Sequence, residues 1–147
     1  MNEIQKPVLS KNSIIIKVHS ASLNPVDYRI RNGDAKFVLR YSMRLTLGHD
    51  FSGDIEAVDS KITQFRVGDS VYGRTPMTGA FQEYVVVGEN DIAKASKNRS
   101  FVESEKLIIS IQKIYPISEI NTAMKEISSG RVKRKIVVDF TNKERNE

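Results

Sequence analysis

The chain has 147 residues, of which 39% are hydrophobic and 28% charged, with a net charge of +5 and no cysteine. That length suits one domain, and the composition is that of a globular chain. Without cysteine there is no disulfide, no thiolate nucleophile and no cysteine-built zinc site. No apolar run approaches the roughly 18 residues of a transmembrane helix. The N-terminus, MNEIQKPVLSKNSIIIKV, carries an acidic residue and a proline before a short apolar run, which is not the pattern of a signal peptide. The expectation is a cytoplasmic protein with no membrane partner. The basic excess gathers in GRVKRK, residues 130–135. It lacks interleaved aromatics, zinc-finger spacing or a long basic helix, so it predicts a solvated turn leading into a strand and no nucleic-acid partner.

In chain order, SIIIKVHSASL (13–23) is rich in β-branched residues and predicts a strand. Ile14, Ile16 and Val18 fall on one face, with Ile15, Lys17 and His19 on the other; His19, beside Lys17, is expected in solvent. NPVDYRIRNG (24–33) opens with a turn dipeptide and closes on Asn-Gly, which predicts a loop with at most a short helical turn. FSGDIEAVDS (51–60) predicts a second strand, with a bulge or close backbone approach at its glycine. VGDSVYG (67–73) is a turn feeding a short strand, and GAFQEYVVV (79–87) a longer one. Strands of this length between glycine turns point to a small barrel or sandwich.

The character then changes. Residues 93–106 are polar and aperiodic, and LIISIQKIY (107–115) predicts a strand. From Ile117 to Gly130 the apolar residues Ile117, Ile120, Ala123, Met124 and Ile127 recur at helical spacing. Ser118 is placed to cap that helix, Glu119 suits its N-terminal end, and Gly130 its C-terminal end. KIVVDF (135–140) predicts a last strand. Asp50, Asp54, Asp59 and Asp69 fall in turns and strand ends, where a solvated role is expected.

Five ordered motifs, NPVDYRIRNG, LGHDFSGDIEAV, FRVGDSVYG, GAFQEYVVV and the C-terminal YPISEINTAMKEISSGRVKRKIVVDF, resemble the catalytic domain of the medium-chain dehydrogenase/reductase superfamily, in its zinc-free quinone oxidoreductase branch. The resemblance implies a mainly β, GroES-like fold: a partly open barrel with a C-terminal helix and a closing strand. Residues 1–98 would form the barrel, and 107–140 would complete the same domain. Residues 99–106 would be the join at which such proteins insert a Rossmann cofactor domain. That domain holds its dinucleotide on a glycine-rich strand-to-helix turn. Residues 88–116 contain one glycine, Gly88, and no such motif. No bound cofactor is therefore expected here, although intact relatives would use NADPH.

For the site, the resemblance places Asn24, Asp27 and Tyr28 near nicotinamide or substrate, although Asn-Pro and Asp are equally turn formers. His49, in GHDFSG, matches a zinc-ligand position of the metal-binding relatives. Tetrahedral zinc needs about three ligands, and the cysteine positions cannot be filled, so no metal is expected. His49 is left as either a structural turn residue or a cleft residue. Lys135 matches a Gly-Lys-Ile-Val pattern tied to the cofactor, with Arg134 where that pattern has glycine. Two functions follow: a reductase catalytic domain inactive by itself, or a non-catalytic module that binds itself or another chain through the face a cofactor domain would cover.

Overall fold

The computed structural model describes residues 5–34, 45–76, 78–95 and 111–141. Among the described residues seven strands form one sheet: β1 (Ile14–Leu23), β2 (Asp50–Val58), β3 (Ser70–Arg74), β4 (Tyr84–Val87), β5 (Ile92–Lys94), β6 (Ile111–Pro116) and β7 (Lys135–Asp139), with helices α1 (Pro25–Asn32) and α2 (Ile120–Ser128). The spatial order is β5-β3-β2-β1-β7-β6, with β4 also paired to β1. The architecture is the expected mainly β fold with a C-terminal helix and a last strand.

β1 is the axis of the sheet. β2 runs antiparallel along one edge, from Ile14↔Val58 to Ala21↔Phe51. The other edge changes partner midway. β4 pairs with Ile14–Lys17, and β7 with Ser20–Leu23. At the changeover the Val18 N–H donates to the Glu83 carbonyl (2.8 Å) and the Phe140 N–H to the His19 carbonyl (2.8 Å). β6 continues the sheet as a parallel neighbour of β7. One strand thus ties the C-terminal segment to the N-terminal half.

Two packed clusters follow from this. Ile14, Ile16, Phe51, Ile55, Val71 and Val85 fill the first, and Leu23, Tyr115, Ala123, Met124, Ile127 and Ile136 the second. Phe81 and Ile120 pack against both. α2 buries Ala123, Met124 and Ile127, the face read from its spacing. Burying an aliphatic side chain of this size contributes about 1.5–3 kcal/mol.

Several expectations are corrected. NPVDYRIRNG is not a loop: Pro25–Asn32 is an eight-residue helix. The dipeptides that read as turns are its punctuation. Pro25 sits in the first turn with its backbone angle preset, and Gly33 ends the helix at φ 84°. α2 begins at Ile120 after a 3₁₀ turn over Ile117–Glu119, so the cap position is Glu119 instead of Ser118, and it makes no side-chain cap bond. The strand expected over 79–87 is regular only from Tyr84, and β5 emerges at the head of the stretch read as polar. β6 is described from Ile111; residues 107–110 and the join at 99–106 lie outside the described residues. His19 is mostly buried, with Nε2 3.5 Å from Asp54.

The expected close approach at Gly53 is present. A Cβ there would lie 2.0 Å from the Lys17 carbonyl oxygen, opposite the register shift between Val18 and Ser20. No side-chain motion relieves a clash with backbone. Gly53→Ala should therefore destabilise the fold by about 3 kcal/mol or more, measured by urea denaturation. Wild-type stability in that variant would contradict the pairing described here.

Candidate functional site at the end of the central strand

Three chain segments meet where β1 ends. Leu23 pairs with Ile136 and Ala21 with Phe51. The next rungs place Asn24 beside Lys135 and Ser22 beside Asp50. Lys135 Nζ donates to Asn24 Oδ1 (2.8 Å) and to Asp50 Oδ2 (3.4 Å). The same carboxylate oxygen accepts from Ser22 Oγ (2.8 Å) and Asn24 Nδ2 (3.1 Å).

Below the cluster, Asp27 takes the backbone N–H of Asn24. Asp27 is fully buried. Its Oδ2 accepts the Asn24 N–H (2.8 Å), while Oδ1 accepts the Gly48 N–H (3.1 Å) and lies 3.3 Å from His49 Nδ1. A buried carboxylate is tolerable only when its lone pairs are met by donors; here two backbone amides and an imidazole supply them. A carboxylate only accepts, so Nδ1 carries the ring proton in this bond. Gly48 stands at φ 90°, and a Cβ on it would meet the Phe81 ring at 2.8 Å. Its carbonyl accepts the Gly79 and Ala80 N–H groups, and the His49 carbonyl accepts the Thr75 N–H.

The candidate residues thus divide. Asn24 and Lys135 join directly, and with Tyr28 they line a cleft of about 450 Å³ between α1 and the turn leading into β7. Asp27 and His49 form a separate pair that anchors α1 to the GHDFSG turn. Asp50 corrects the expectation of a solvated carboxylate: it is half-buried with three partners. Its signal in the sequence was position alone, one residue after His49 at the start of a strand.

Chemically, the cluster is a donor array. Of the three N–H bonds of Lys135 two are engaged, and of the two on the Asn24 amide one is engaged. The remainder can hold a carbonyl oxygen or a developing negative charge. Neither helix of the described residues opens on a glycine-rich turn of the kind that holds a pyrophosphate. At the start of α1 the Asn24 N–H is taken by Asp27 and Pro25 has none; at the start of α2 the Ile120 N–H is bonded to Ile117 and Glu119 brings a carboxylate. Among the described residues no three His, Asp or Glu side chains gather as a metal site. None of their helices is long and apolar enough to cross a membrane.

Burial alone would push the Asp50 carboxyl up. The hydrogen bonds from Asn24 and Ser22 and the Lys135 ammonium outweigh it and hold the group below its ordinary value of 3.8. A depressed carboxyl stabilises the fold above its unfolded value and loses that contribution as pH falls through the folded one. Asp50→Asn should therefore lower stability at pH 7, and its deficit should shrink below about pH 3.8, measured by urea denaturation across pH. A deficit independent of pH would contradict the cluster.

Residues 10–97 match the alcohol dehydrogenase GroES-like domain family. A mitochondrial NAD(P)H oxidoreductase of Dictyostelium discoideum is 31% identical over 108 residues, which are 71% of this chain and 30% of that protein. Other relatives are quinone oxidoreductases and an enoyl reductase component; the chain spans about 30% of the length of the relatives it matches. Among solved structures, the quinone oxidoreductase from Coxiella burnetii is similar at TM-score 0.59 and 27% identity, over 77% of this chain and 42% of that one. The human synaptic vesicle membrane protein VAT-1 homolog-like protein matches in fold at TM-score 0.78 and 10% identity, over 87% of this chain and 89% of that one. The chain belongs to the alcohol dehydrogenase GroES-like domain family, and is similar to quinone oxidoreductases and enoyl reductases of the medium-chain dehydrogenase/reductase superfamily.

Proposed function

We propose that this chain forms the substrate-side wall of an NADPH-dependent reductase cleft, acting on a quinone or an activated double bond, and that it is inactive by itself. The observation that carries the reading is the meeting of Asn24 and Lys135 in the lining of the cleft, both bonded to Asp50 behind them, with two N–H donors left over. Such a pair is suited to the oxygen of a conjugated carbonyl as it takes up negative charge. NADPH would supply the hydride in a complete enzyme; the residues of this chain orient the acceptor.

A second reading is favoured by one finding. This chain matches 89% of a solved chain of the same fold. In that reading the chain is a binding module that pairs with itself or another chain through the face a cofactor domain would cover.

Neither helix opens on a glycine-rich turn, and each lost charged hydrogen bond is worth about 1.5–3 kcal/mol. A few such losses move a micromolar dinucleotide to about 1 mM or weaker. Calorimetry should detect no tighter NADPH binding, and NADPH-dependent quinone reduction should stay at background. Micromolar binding, or turnover that Asn24→Ala abolishes, would overturn this account.

A further inference from the structure

The cleft beside the site has a second character that hydride transfer does not require. Tyr28, Leu23, Ile127 and Val132 give it an apolar and aromatic lining, while Arg29, Lys133 and Arg134 stand at its rim. Lys135 is already matched by Asp50. None of the three rim cations has a carboxylate partner among the described residues. Against them stand Asp34, which also lines the cleft, and the carbonyl ends of α1 and α2. Each helix end carries about half a negative charge. The rim therefore keeps an excess of about one positive charge, and two of its cations are guanidinium forks suited to carboxylate or phosphate oxygens.

We propose that this cleft takes a small amphipathic anion, with an aromatic or apolar body against Tyr28, Ile127 and Val132 and a carboxylate or phosphate head held by Arg29 and Arg134. The inference rests on the reading of the cleft as the acceptor's site and names the acceptor's class: a conjugated compound bearing an anionic group. A volume of about 450 Å³ suits a body of one or two fused rings and is small for a whole dinucleotide.

Three probes of one body test it: naphthyl phosphate, naphthoate and naphthol, titrated into the full chain by calorimetry without nicotinamide. At least one anion should bind about tenfold tighter than naphthol, and Arg29→Gln or Arg134→Gln should each weaken that anion about tenfold. Neither variant should change naphthol binding. Lys61→Gln, which removes one positive charge from an exposed turn, should have no effect. Preference for phosphate over carboxylate, or the reverse, identifies the head group. Equal binding of all three probes, or anion binding unmoved by both arginine variants, overturns the anionic class while leaving the cleft as an acceptor site. No saturable binding of any probe overturns the cleft itself.

Discussion

Asp27 is the constraint on which the site depends. It is a fully buried carboxylate between a helix start and a glycine turn, and it holds the Asn24 and Gly48 amides and the His49 ring. Removing its oxygens would leave buried donors unmet, at a cost of about 1–3 kcal/mol each. The consequence reaches past stability. Asp27 takes the Asn24 N–H, while the Asn24 side chain faces Lys135 and Asp50. His49 is drawn toward the anchor and not into the donor array. Its ring joins Asp27 to the turn that precedes Asp50.

The other half of the arrangement is strand register. Lys135 meets Asn24 across 111 residues and Asp50 across 85, and it does so because β1 pairs with β7 and β2 on opposite edges. A shift of one residue in either pairing would turn the partners to the opposite face. The change of partner at Val18 and His19 is what opens room for β7 beside the end of β1. The last strand therefore contributes Lys135 to the cluster, and Ile136 and Val138, both fully buried, to the fold.

Much of the fold was legible from β-branched runs and from the spacing of Ala123, Met124 and Ile127. α1 was not, because it is defined by its ends. Its only buried residue is Asp27, so it has no apolar stripe to read, and Asn-Pro and Asn-Gly mark turns and helix termini alike. The motif resemblance placed Asn24, Asp27, Tyr28 and His49 at one cleft and Lys135 with the cofactor; the structure instead joins Lys135 to Asn24 and sets Asp27 and His49 apart as a pair. The resemblance could not show that Asp50 binds two of the cluster's members, since an Asp after a His at a strand start carries no signal of what lies across the sheet. The cationic rim was visible as GRVKRK but read as solvated charge; only the packing of α1 beside that turn puts Arg29 with Arg134.

The central claim is that this chain holds the acceptor's wall of the cleft and not the dinucleotide's. Amide chemical-shift mapping tests it most directly, with naphthoquinone and NADPH titrated separately into labelled protein. The account predicts that naphthoquinone shifts the amides of Asn24, Tyr28 and Lys135, and that NADPH leaves them unmoved at micromolar concentration. Shifts from micromolar NADPH at those residues, or quinone shifts confined to β3 and β5, would contradict it.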